Sequence, residues 1–262
     1  MALLEQHAPG SFCWIELATT DQNAAKSFYH SLLGWSSNDF PMGPGAFYTM
    51  FQLEGRDAAA AYTIDAQMKE RGVPPHWMLY VATASADQSV AKATAAGGKV
   101  MAGPFDVFDF GRMAVIQDPT GAVFSVWEPK THKGIRIAGV PGTFCWADLS
   151  TPDPAAASAF YQAVCGWEIT TGDGDYLHIK NGEAFIGGIQ PVAHRAPNTP
   201  PHWLSYFLVT DCDASTAKAK EGGANIYVPP MEIMKVGRMS VVADPQGAVF
   251  ALFQPLPHEV GA

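Results

Sequence analysis

Charge is what this chain has least of. Only 16% of its 262 residues are Asp, Glu, Lys or Arg, and acids outnumber bases 25 to 16, for a net charge of −9. Such a surface repels a phosphate backbone unless a strong basic patch offsets it. The few bases of "PKTHKGIR" (129–136) form no such patch and read as a solvated connector, which excludes nucleic acid as a partner. Cysteine is scarce too: Cys13, Cys145, Cys165 and Cys212 include no CxxC pair. They read as small buried hydrophobes in a reducing cytosol rather than reactive thiols. No stretch reaches about 18 uncharged apolar residues, so no membrane span is expected. The opening "MALLEQHAPGSF" has neither a basic start nor a long apolar run, so a secretory signal is not supported and a cytoplasmic location is expected. What the chain does have is a 48% apolar share, enough for a sizeable core in one large domain or two ordinary ones.

It also has a long internal repeat. "PGSFCWIEL" (9–17) returns as "PGTFCWADL" (141–149), and "SFYHSLLGW" (27–35) as "AFYQAVCGW" (159–167), both 132 positions on. "PPHW" at 74–77 and 200–203 is offset by 126, as are "GRMAVIQDPTGAVFSVWEP" (111–129) and "GRMSVVADPQGAVFALFQP" (237–255). A shortened stretch between Trp167 and Pro200 accounts for the change. A period this long means two homologous domains in tandem rather than a solenoid. The spacing places the domains at 8–134 and 140–262, with the boundary in Lys130–Gly139.

Within each half the pattern is a strand, a helix and several strands, twice over. In "FCWIEL", strict alternation puts Phe12, Trp14 and Glu16 on one face and Cys13, Ile15 and Leu17 on the other. Asp21 is placed to cap a helix with Ala24, Phe28 and Leu32 on one side, ended by Gly34. A second helix is expected in 86–98, and "DPTG" (118–121) and "DPQG" (244–247) read as turns. Each half is therefore β-α-β-β-β written twice, an α+β chain.

The phrases "D-x-x-x-A-x-x-FY-x-x-x-x-GW" and "D-P-x-G-x-x-F", each present twice, resemble the vicinal oxygen chelate superfamily. Its members include glyoxalase I, bleomycin-resistance proteins and extradiol dioxygenases. The resemblance covers about Gly10 to Pro255. It implies four βαβββ units forming two tandem glyoxalase-like domains, each a curled, cup-shaped sheet. It also implies a divalent metal held by strand residues. The family's first ligand, seven residues before the capping Asp, falls on Trp14 and Trp146. Its Glu, seven residues after the Asp of "D-P-x-G", falls on Ser125 and Ala251. The third position falls on Met78 and Leu204, or on His76 and His202 in another register. Indole, alkyl and a lone hydroxyl do not grip a divalent cation. The expected cofactor is therefore none, with a relocated site using Glu16 and His76, or Asp148 and His202, left open.

The same positions outline a binding surface. Phe12, Trp14, Glu16, Met78, Tyr80 and Ser125 would line one cup; Phe144, Trp146, Asp148, Leu204 and Tyr206 the other. An apolar wall with a few polar groups is how small-molecule sites are commonly built. The ordinary alternatives stay open: core tryptophans, strand-end histidines, and acids paired with Arg112 and Arg238. Trp77 and Trp203 are expected to point away and pack on a helix. The sequence thus supports a metal-independent binder of a hydrophobic or aromatic small molecule. Its competitors are a lyase, isomerase or dioxygenase with candidate catalytic residues Glu16, His76, Asp148 and His202, and an interaction scaffold. A monomer or homodimer is expected, since tandem halves can pair with each other.

Overall fold

The computed structural model describes residues 2–233 and 235–256; the expected end of the second domain, 257–262, lies outside them. The first half runs β1 (Ala2–Leu3), β2 (Phe12–Thr19), α1 (Gln22–Leu33), β3 (Ser36–Gly43), β4 (Ala46–Leu53), β5 (Arg56–Thr63), α2 (Ala66–Glu70), β6 (His76–Ala82), α3 (Ala86–Ala95), β7 (Lys99–Val107), β8 (Gly111–Gln117) and β9 (Val123–Pro129). After β10 (Ile137–Ala138) the second half runs β11 (Phe144–Ser150), α4 (Pro154–Cys165), β12 (Glu168–Thr171), β13 (Leu177–Asn181), β14 (Ala184–Ile189), β15 (His202–Leu208), α5 (Cys212–Glu221), β16 (Asn225–Ile233), β17 (Gly237–Ala243) and β18 (Val249–Pro255). Each half builds one eight-stranded sheet, in the orders β3-β4-β5-β2-β6-β9-β8-β7 and β12-β13-β14-β11-β15-β18-β17-β16. The four-strand units meet where β2 pairs with β6 and β11 with β15, both antiparallel. The outermost strands are therefore β3 and β7 in one sheet and β12 and β16 in the other. One face of each sheet carries the helices; the other is concave.

Local chemistry fixes the helices. The Asp21 carboxylate accepts the Ala24 N–H at 3.0 Å, and Gly34 closes α1 in the left-handed region at φ 77°. The buried stripe is Ala25, Phe28, Tyr29 and Leu33, turned from the expected Ala24, Phe28 and Leu32. The reason is that α1 packs on α5 of the other half as well as on its own sheet. Helix α3 stops at Ala95, short of the expected 98, because the chain turns through Gly97 at φ 84°.

The halves share one apolar core, joined by a pseudo-twofold set of bonds. Tyr29 donates to Asp244 at 3.0 Å and Tyr161 donates to Asp118 at 3.0 Å. Trp77 and Trp203 donate their indole N–H to those two tyrosines, at 3.1 and 2.9 Å. Both tryptophans thus face the helices, as alternation predicts. Trp35 donates to the Gly142 carbonyl at 2.8 Å and Trp167 to the Gly10 carbonyl at 2.7 Å. The "DPxG" segments are more than turns. Asp118 uses one oxygen for the Thr120, Gly121 and Ala122 N–H groups and the other for the opposite half.

The connector is not a solvated loop. Ile135 and Ile137 are buried, the Ile135 N–H donates to the Cys13 carbonyl at 2.8 Å, and the Arg136 N–H donates to the Asp57 carbonyl at 2.8 Å. β2 joins β5 only from Glu16 onward, so residues 134–136 fill the gap between the two strands. Backbone donors and acceptors there would otherwise be unpaired, which favours order over solvation.

Candidate functional site

In the first cup, β2, β6 and β9 present one row of side chains: Trp14 lies opposite Tyr80, and Tyr80 beside Ser125. Glu16, half-buried, lies opposite Met78 and accepts the Tyr80 hydroxyl at 2.7 Å. The Tyr48 hydroxyl lies beside the same carboxylate and accepts the Trp14 indole N–H at 3.1 Å. Tyr62, in register with Tyr48, adds a third phenol. Burial pushes the Glu16 carboxyl above its ordinary value, against the hydrogen bonds that lower it. One end of the cup is closed by His132, whose ring meets Trp14 edge-on at 4.6 Å and packs on Trp127 at 5.9 Å.

The second cup repeats the plan with a tighter floor. Asp148, buried, accepts Tyr176 at 2.6 Å and the Trp146 indole at 3.0 Å on one oxygen. Its other oxygen accepts Tyr206 at 2.7 Å and the Gln190 amide at 3.3 Å. Four donors fill the carboxylate. The Tyr176 phenol lies directly on Gly188, where an added Cβ would be 1.8 Å from its hydroxyl oxygen.

Several expected positions move. Phe12 and Phe144 do not face the cups. A β-bulge between Phe12 and Trp14, and its twin between Phe144 and Trp146, flips each phenylalanine to the helix side. Phe12 there packs against Phe144, Trp167 and Trp203. Trp14, Glu16, Met78, Tyr80 and Ser125 come together in one cup, and Trp146, Asp148, Leu204 and Tyr206 in the other. His76 sits at a strand end opposite Ala18, its Nδ1 held by the Pro74 carbonyl at 2.8 Å; His202 repeats this with Pro200 at 2.9 Å. Arg112 and Arg238 pair with Asp87 and Asp213 at the surface instead of with the cup acids. The sequence reading missed Tyr48, Tyr62, Tyr176, Gln190 and His132. Tyr48 and Tyr62 lie on strands, and Tyr176 and Gln190 just outside them, where the spacing shifts between the halves. Tyr48 and Tyr176 stand 128 apart, between the offsets of 132 and 126, and that intermediate offset is the signal that would have paired them.

The register also tests the family's metal. It brings Trp14, Met78 and Ser125 to adjacent strands, and Trp146, Leu204 and Ala251 likewise. An indole, a thioether and one hydroxyl, or an indole and two alkyl chains, do not fit a divalent cation. Among the described residues no three His, Cys, Asp or Glu side chains are grouped to hold an ion elsewhere. No helix among them is long and apolar enough to cross a membrane.

Comparison with known proteins gives the same architecture a family. Residues 11–126 match the family model of the Glyoxalase/Bleomycin resistance protein/Dioxygenase superfamily, and residues 146–253 that of a glyoxalase-like domain. CFP32 of Mycobacterium tuberculosis, which carries the name of a candidate glyoxylase, is 41% identical over 97% of this chain and 98% of its own. The anthracycline biosynthesis protein DauV of a Streptomyces species is 33% identical over 96% and 95%. Among solved structures, a Mn(II)-bound glyoxalase from Novosphingobium aromaticivorans aligns with TM-score 0.67 at 18% identity, covering 95% of this chain and 83% of that one. The 2,3-dioxygenase LapB from Pseudomonas sp. KL28 aligns at 0.62 and 13%, covering 96% and 95%. With both halves matched and full-length relatives above 30% identity, the chain belongs to the glyoxalase/bleomycin-resistance/dioxygenase superfamily, as a tandem two-domain member.

Proposed function

We propose that this protein binds a small hydrophobic or aromatic molecule in an aromatic-lined cup, without the family's metal. One observation carries the reading: bulky and non-coordinating side chains stand where the family's ligands would, while the cup keeps an aromatic wall around a carboxylate. Flat rings supply large contact area with little entropy lost, and the carboxylate supplies orientation. Two Streptomyces relatives named for anthracycline biosynthesis accord with this, because an anthracycline core is a planar hydroxylated aromatic. The test is equilibrium dialysis of 2-naphthol against the purified protein before and after exhaustive chelation, with elemental analysis alongside. Retained binding in metal-free protein supports the reading. Binding that disappears with the metal, or no binding at all, overturns it.

A second reading, an acid–base enzyme, is favoured by Glu16, whose carboxyl burial pushes upward beside a phenol at 2.7 Å. Mass spectrometry of the recovered ligand separates the two: a chemically changed compound selects the enzyme, and unchanged compound the binder.

A further inference from the structure

The two cups share a plan, and five of their differences set the first apart, although the second also holds a buried polar atom without a partner among the described residues, His178 Nδ1. At the floor, Asp148 is fully engaged by four donors, whereas Glu16, one methylene longer, has two phenols, Tyr80 at 2.7 Å and Tyr48 beside it, and keeps acceptor positions that they do not fill. Beside it, the second cup has Gly188 with the Tyr176 hydroxyl lying on it, while the first has Ala60, whose Cβ takes the place that hydroxyl occupies. Ser125 adds a polar group: it is fully buried, faces the concave side with Tyr80, and its hydroxyl has no partner among the described residues. Its counterpart in the second cup is Ala251, beside Tyr206.

The rims differ as well. Phe40 on β3 is in register with Tyr48, and Phe105 on β7 with Met113 and Trp127, so both outermost strands turn a ring toward the first concavity. Those rings are 54% and 43% exposed. Two large apolar surfaces left open on opposite edges of one hollow are costly to hydrate unless something covers them. In the second cup Gly172 takes Phe40's place, bonded through its N–H to the Tyr176 carbonyl, and Met231 takes that of Phe105. One rim has two aromatic walls; the other has none at these positions.

We infer that the first cup alone takes the ligand, and that the ligand is a planar aromatic bearing a hydroxyl that donates to Glu16, flanked by Phe40 and Phe105. This rests on the aromatic-binder reading and narrows it to one cup and one contact. A hydroxyl is the chemistry that fits, because a carboxylate with open acceptor positions in an apolar hollow gains most from a neutral donor it need not desolvate as an ion. Asp148 becomes the floor of a closed, structural cup.

The test uses equilibrium dialysis of the full chain with 2-naphthol and with 2-methoxynaphthalene, which has the same ring and no donor. Wild type should bind the naphthol about tenfold more tightly than the ether, the size of one charge-assisted hydrogen bond after solvent exchange. Glu16→Gln should lose most of that preference. Phe40→Ala and Phe105→Ala, on exposed edge strands where folding is not at risk, should each weaken binding of both compounds about three- to tenfold. The matched change in the other cup, Met231→Ala, should leave both affinities within about twofold, as distant sites do. Weakening by Met231→Ala equal to or greater than that by Phe105→Ala overturns the assignment while leaving the binder reading in place. So does equal affinity for naphthol and ether. Failure of wild type to bind either compound overturns both.

Discussion

The two floor acids should respond to different degrees to the same chemical change, removal of charge. Glu16→Gln keeps an oxygen to accept Tyr80 and places its amide against Tyr48, whose hydroxyl can accept. Only the Tyr48 O–H loses its acceptor, while its oxygen accepts from both Trp14 and the new amide. Burial raises the Glu16 carboxyl, so the folded protein holds that proton more tightly than the unfolded chain does. Its favourable contribution is complete below the unfolded value, about 4.3, and is lost as pH rises through the folded one. Gln carries no such loss. The two effects offset, so the variant should stay within about 1 kcal/mol of wild type at pH 7, and compare less well as pH falls to 4. Asp148→Asn has no such freedom. With its oxygen toward Tyr176 and Trp146, its amide nitrogen faces the Gln190 amide and the Tyr206 hydroxyl. One donor meets a donor, and charge assistance is withdrawn from the remaining bonds. Each charged hydrogen bond is worth about 1.5–3 kcal/mol and an unsatisfied buried group costs about 1–3, so a net loss of about 2–3 kcal/mol is expected. Urea unfolding at pH 7 and pH 4 reads both. A Glu16→Gln protein destabilised as much as Asp148→Asn would refute the claim that Glu16 has acceptor capacity to spare.

Two further substitutions probe the frame around the cups. Tyr29→Phe strips a buried donor from Asp244 and an acceptor from the Trp77 indole, so urea unfolding should show a loss of about 2–4 kcal/mol; a loss under about 0.5 would mean the cross-half bond is not formed. Gly111→Ala sets a methyl 2.3 Å from the Trp127 ring, which its indole N–H holds on the His132 carbonyl at 3.0 Å. The variant should lose about 1–3 kcal/mol to overpacking, read as a lowered Tm.

The fold was legible because its punctuation is local. Asp21 and Gly34, and the paired "DPxG" segments, set element ends by capping chemistry that any sequence displays, and the repeat states each twice. The cups were legible only in part. Alternation carries Trp14, Glu16 and Tyr80 to the right face, but a bulge at Cys13 breaks the period, and nothing in the residue string marks it. Phe12 and Phe144 were misplaced for that reason alone. Tyr48 and Tyr176 were overlooked because their positions depend on the pairing of distant strands, β4 with β5 and β13 with β14, whose register is set by tertiary packing. The connector misled for a related reason. "KTHKGIR" is polar in composition, yet its Ile135 and Ile137 find a gap between strands that exists only in the folded sheet.

The same bulge explains why one chain writes "PGSFCWIEL" and "PGTFCWADL". Without it, Phe12 and Trp14 would share a face, and the segment could serve either the junction between halves or the cup. With it, one short strand serves both. Gly10 and Gly142, held at φ 86° and 91°, offer carbonyls to Trp167 and Trp35 of the opposite half, and Phe12 meets Phe144 at the centre. Four residues later the chain has turned its tryptophan and acid to the hollow. Because the junction is pseudo-symmetric, a change on one side removes a partner from the other, so both copies of the phrase stay close in the positions that meet there. The floors meet nothing across the axis. They are free to differ, and they do: a carboxylate with room on one side, a carboxylate locked by four donors on the other. Duplication of this kind fixes a shared frame and leaves the two floors free to diverge, which is why the acid's position repeats while its surroundings do not.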